Sequence, residues 1–180
     1  MLRLLQLEEI EGLLLDVPLL VRRYEAREPR FHADVGAWLG LVSEVLRRNR
    51  LSGSATVAGL QGEVTAAARG VIPPDLGVRA SVSKRQTTAA VALRALQRAT
   101  ALLRGEIESP RARANDARLV ARAALAVARA KGLLGPLSPQ AQFAALEGDN
   151  DTRAMVTHMV GLLSRGDALI VLDRARVDVE

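Results

Sequence analysis

Four arginines recur at helical spacing in the second half of the chain. They are Arg111, Arg118, Arg122 and Arg129. At 100° per residue these side chains fall within roughly 40° of one another on one helix face. Guanidinium groups bind phosphate and carboxylate oxygens through paired hydrogen bonds, so such a row could follow a nucleic-acid backbone. Arg94 and Arg98 would extend this candidate phosphate-binding surface. The alternative is a solvated face, or one that pairs with acidic segments of the same chain.

The charge of the chain changes sign along its length. Residues 79–131 carry twelve Arg or Lys against three acids and contain no aromatic residue. Residues 1–34 carry seven acids against five bases, and residues 132–180 seven against four. A basic segment of this kind attracts phosphates or acidic protein surfaces. The lack of aromatics argues against single-strand binding that depends on base stacking.

Two pairs of Arg and His are five residues apart, Arg27 with His32 and Arg153 with His158. The second pair opens a predicted helix. In that respect it resembles the catalytic motif of the HEPN ribonucleases, whose fold is also a compact helical bundle. The resemblance covers one six-residue motif and implies ribonuclease activity as a weaker alternative function.

Other chemistry has few candidate residues. The chain has two His and no Cys, which excludes disulfides, thiolate metal sites and a Cys nucleophile. Neither familiar Gly-rich phosphate loop occurs. We therefore predict no metal site and no cofactor, and the sequence favours a protein that is not an enzyme.

The fold class follows from helix starts and apolar periodicity. Aromatic residues are only 2% of the chain, so the core must consist of Leu, Val and Ala, which suits packed helices. We predict an all-α bundle of six to eight helices. Ser109–Pro110 and Ser138–Pro139 are each predicted to start a helix, and Asp34 to cap one. Residues 166–180 form a tail that could be a strand or a short helix.

The expected organisation has two helical parts. Residues 1–70 form an acidic and apolar N-terminal unit, residues 71–80 a linker or long loop rich in Gly and Pro, and residues 81–165 a basic helical bundle.

Residues 2–15 are apolar around most of a helix and need cover on several sides, which predicts a homodimer or larger assembly. No apolar run reaches the roughly 18 residues of a membrane span, so we expect a cytoplasmic protein without a membrane partner.

The leading prediction is a non-catalytic interaction or adaptor protein that self-associates. The alternative is a protein that binds the nucleic-acid phosphate backbone, and an acidic protein surface is a further possible partner of the arginines.

Overall fold

The computed structural model describes residues 2–71, 83–135 and 138–177, and within these ranges every regular element is an α-helix. The predicted all-α bundle is confirmed. Eight helices are described, namely α1 (Leu4–Leu15), α2 (Val17–Glu25), α3 (Phe31–Arg48), α4 (Ser54–Ala68), α5 (Lys84–Ala130), α6 (Pro139–Gly148), α7 (Arg153–Leu162) and α8 (Arg165–Val177). The C-terminal segment, which the sequence left open between strand and helix, is helical as far as the structure describes it.

The chain forms two compact units. The N-terminal unit comprises Leu5–Ile107, and the C-terminal unit comprises Glu108–Glu180 together with Met1–Leu4. This division lies inside α5, and the linker predicted at residues 71–80 lies, apart from Val71, outside the described residues. The first part of α5 packs on α4, where the Thr88 hydroxyl donates to the backbone oxygen of Ala67 at 3.2 Å.

The N-terminal unit is built around α3, which packs against α2 and α4. Its buried residues are Phe31, Val35, Trp38, Leu39, Val42, Val45 and Leu46. The Trp38 indole donates to the backbone oxygen of Leu13 at 3.0 Å and so connects α3 to α1. On α1, Leu7 and Ile10 are buried, whereas Leu5 is 59% and Leu15 is 79% exposed. The bundle therefore covers one side of α1 and leaves apolar side chains on another.

The C-terminal unit packs α6, α7 and α8 against one another. The part of α5 in this unit buries a row of small side chains at alternating spacings of three and four. They are Ala114, Ala117, Ala121, Ala124 and Ala128. This spacing places them on one face of the helix, and alanine allows a neighbouring element to approach closely.

Pro110 lies inside α5, so the helix start predicted at Ser109–Pro110 is wrong. An internal proline removes one backbone hydrogen bond and costs about 3 kcal/mol. Ile107 and Ala114, on either side of Pro110, are both buried, and burial of apolar surface favours the continuous helix. The similar Ser138–Pro139 signal does start α6, with the Ser138 hydroxyl accepting the Ala141 N–H at 3.2 Å.

No single described helix is both long and apolar enough to cross a membrane. Helices α7 and α8 reach the required length and composition only as a pair, and that pair is bent by 119°. Both bury apolar side chains within the C-terminal unit, among them Val156, Met159 and Val171.

Candidate functional site

The four arginines predicted from helical spacing lie on α5 in the C-terminal unit. Arg111, Arg122 and Arg129 are exposed, whereas Arg118 is half-buried and donates to the Asn115 side-chain oxygen at 2.9 Å. The row stands roughly a quarter turn around the helix from the buried alanines. It therefore occupies the flank of α5, where it can contact both solvent and a neighbouring helix.

A basic cavity adjoins this row. Arg118 and Arg122 line it together with Asp173 and Arg174 of α8, and its volume is about 490 Å³. Three guanidinium groups against one carboxylate give the lining a net positive charge. Val171 and other apolar side chains complete the wall. This lining suits an oxyanion. Arg174 was not among the candidate residues that the sequence analysis named.

Arg94 and Arg98 lie in the N-terminal unit and both face Glu63 of α4. Each guanidinium is 3.5 Å from a Glu63 carboxylate oxygen. The structure thus places these two arginines in ion pairs between α4 and α5. These ion pairs help to pack α5 against α4. A phosphate that bound Arg94 or Arg98 would have to compete with the Glu63 carboxylate.

Arg153 is positioned by the end of α6. Its guanidinium donates to the backbone oxygens of Glu147 and Gly148, both at 3.2 Å. These are carbonyls that a helix C-terminus leaves without an intrahelical partner. His158, on the same helix as Arg153, is exposed. Among the described residues, no group of three or more His, Asp and Glu could hold a metal ion.

The other Arg and His pair borders a cavity of about 570 Å³ in the N-terminal unit. Arg27 has a φ of 54° in the turn after α2, and its backbone oxygen accepts a hydrogen bond from Arg85. His32, Glu28 and Arg85 also line this cavity. Its lining mixes charges of both signs, so it shows no clear preference for an anion or a cation.

An apolar groove separates α2 from α5 in the same unit, with a volume of about 530 Å³. Its wall on α2 consists of Val17, Val21, Tyr24 and Glu25. Its wall on α5 consists of Leu93, Leu96, Gln97, Thr100, Ala101 and Arg104. Only two of these side chains carry a formal charge at neutral pH. Half of the ten lining residues are apolar, and an open groove with this lining is a candidate binding surface.

The two charges of this groove lie at its opposite ends. Tyr24 and Glu25 also line the cavity that contains Arg85 near the start of α5. Helix α2 therefore runs antiparallel to α5, with Glu25 at the end toward the start of α5. Arg104 is eleven residues beyond Leu93 on α5, roughly 16 Å along the helix. Neither the Glu25 carboxylate nor the Arg104 guanidinium makes a hydrogen bond or ion pair with another described residue.

Ion pairs hold the α6–α7 turn against the end of α5 in the C-terminal unit. Lys131 donates to Asp149 at 2.8 Å and also contacts Asp151. The hydrogen bond from Lys131 lowers the pKa of Asp149. The hydrogen bonds that Lys131 donates to Asp149 and Asp151 raise its own pKa. Arg165 similarly lowers the pKa of Glu147 through a side-chain hydrogen bond. These groups position the helices and line none of the three cavities.

No protein-family model matches this chain, and the comparisons with curated proteins and with solved structures found no match either. The geometry of its own residues must therefore support any functional proposal. The groove was missed from the sequence, although Val17, Val21 and Tyr24 do recur at helical spacing. That signal was available, but it does not distinguish a stripe covered by the protein core from one that lines an open groove.

Proposed function

We propose that this protein is a non-catalytic helical interaction protein that self-associates through its N-terminal unit. The observation that carries the proposal is the open apolar groove between α2 and α5. Leu15 and Leu19, at the end of α1 and on α2, add exposed apolar surface, at 79% and 52%. Open apolar surface of this kind is a candidate for a protein interaction site.

The histidines give little support to a catalytic alternative. Neither the His32 imidazole nor the His158 imidazole makes a hydrogen bond with another described residue. A general base normally has such a partner, which orients the imidazole toward a nucleophile. The ion pairs of Arg94 and Arg98 with Glu63, and of Arg165 with Glu147, join different helices. A function based on helix packing therefore accounts for more of the structure than an enzymatic one.

Light scattering over a wide concentration range tests this proposal. The average mass should rise with concentration from the 19.3 kDa of one chain toward a multiple of that value. Apolar association of this kind should survive moderate salt, because burial of apolar surface is not screened by ions. A single monomeric mass from low to high micromolar concentration would overturn the proposal.

A second candidate function is binding of a phosphate backbone by the arginines of α5. The specific observation in its favour is that Arg118, Arg122 and Arg174 line one cavity. Such binding should be independent of sequence and should weaken steeply with salt, since each neutralised phosphate releases counterions.

Gel-shift titration at two salt concentrations tests this candidate. Replacing the four arginines of the row by Gln should flatten the salt dependence while preserving helicity, because Gln and Arg have similar helix propensities. Replacing Arg94 and Arg98 by Gln is the matched control and should change the salt dependence less. Absence of binding at about 50 mM salt would remove this function, given that phosphate contacts strengthen as salt falls.

A further inference from the structure

We infer that the α2–α5 groove docks onto the same groove of a second copy about a two-fold axis, so that Glu25 of each copy lies beside Arg104 of the other. This inference rests on the proposed self-association and specifies its surface. Its occupant is a second copy of this chain, because the charge along the groove is complementary to its own reversed copy.

The groove has opposite charges at its two ends. A two-fold rotation perpendicular to the groove reverses its direction, so the acidic end of one copy meets the basic end of the other. The same operation creates two equivalent pairs of Glu25 and Arg104. Neither side chain is paired within the described residues, so both are available to form these contacts. The groove is therefore electrostatically complementary to itself.

The middle of the groove suits close contact between two helices. Gln97 and Ala101 are exposed and lie between Leu93 and Arg104 on α5. Alanine at such a position allows two helix axes to approach closely, because interaxial distance depends on side-chain size. Leu93 and Val21 are half-buried and would lose their remaining exposure in the dimer. An apolar centre with charges at the rim is the usual composition of a specific interface.

A charge-reversal experiment tests the inference. Glu25→Arg and Arg104→Glu each replace both attractive pairs by two repulsive ones. Each single variant should weaken the dimer by about tenfold or more in sedimentation equilibrium, and the double variant should restore most of the wild-type affinity. Asp116→Arg, which reverses an exposed charge in the C-terminal unit, is the matched control and should leave the affinity unchanged.

The outcomes separate the surface from the function. A monomeric wild type would overturn self-association, and the groove assignment with it. A wild-type dimer that resists both single reversals, or whose loss the double reversal fails to restore, would overturn the groove assignment and leave self-association intact. Restoration in the double variant supports the pairing directly, because a misfolded single variant would not be rescued by a second charge reversal.

Discussion

Single polar side chains determine the turn between α6 and α7. Thr152 is fully buried, and its hydroxyl donates to the backbone oxygen of Leu146 at 2.6 Å. One carboxylate oxygen of Asp149 accepts the backbone N–H groups of Asp151 and Thr152, at 3.0 and 3.2 Å. A buried carbonyl that loses its hydrogen-bond donor destabilises the folded protein, because its desolvation is no longer compensated. Thr152 and Asp149 should therefore matter more for stability than their size suggests.

Thr152→Val should lower the free energy of unfolding by about 1 to 3 kcal/mol, because it leaves the Leu146 oxygen without this donor. Urea denaturation measures the change. Thr157→Val, at an exposed position of α7, is the matched control and should stay within about 0.5 kcal/mol of wild type. Equal effects at the two positions would show that the buried hydrogen bond contributes nothing special.

The Asp149 carboxylate should make the stability of the C-terminal unit depend on pH. Its pKa is lowered from the ordinary 3.8, chiefly by the hydrogen bond from Lys131. A lowered folded-state pKa contributes stability that is present above the ordinary value and is lost as pH falls through the folded one. Asp149→Asn should therefore be less stable than wild type near neutral pH, and this difference should disappear as pH falls below 3.8.

Thermal melts across that pH range check this prediction. The Asn side chain retains an oxygen that can accept the backbone N–H groups of the turn, so the variant isolates the charge. A stability difference that is the same in acid and at neutral pH would contradict the role assigned to the ion pair with Lys131.

Helix starts were predictable where a local hydrogen bond decides them. Ser138 caps α6 as predicted, with a helix-starting proline after it. Asp34 was wrongly predicted as a cap, because α3 begins at Phe31 and the Asp34 carboxylate instead accepts from Arg23 at 2.6 Å. That ion pair joins residues on different helices, and a local pattern carries no information about it. Burial of the residues around Pro110 is also a tertiary property, so the local Ser-Pro pattern did not predict that α5 continues through Pro110.

Pro110→Ala should stabilise the protein if α5 is continuous, because alanine restores a backbone donor and relieves the clash of the proline ring. The gain should approach about 3 kcal/mol at most and should appear as a higher melting temperature in circular dichroism. Pro139→Ala is the matched control. It should be neutral or slightly destabilising, since proline is favoured at the first position of a helix. A destabilised Pro110→Ala variant would indicate that a helix starts at Pro110.

At the scale of the whole molecule, the helical class was predictable and the placement of the helices was not. Composition and periodicity sufficed for an all-α fold. The groove arises because α2 and α5, which are separated by two helices in the chain, lie side by side. Sequence spacing predicted the arginine row on α5. It did not predict that Arg174 of α8 lines the same cavity as Arg118 and Arg122, because that proximity depends on helix packing. Local patterns identify helix faces, and only packing shows which of them remain open.

Cross-linking through a single thiol tests most directly whether two copies meet across the α2–α5 groove. The chain has no cysteine, so Ala101→Cys carries one thiol in the groove and Leu119→Cys carries one at an exposed position of the C-terminal unit. With a short bismaleimide at low protein concentration, Ala101→Cys should form a covalent dimer rapidly and Leu119→Cys slowly. Equal rates, or a faster reaction of Leu119→Cys, would contradict the account.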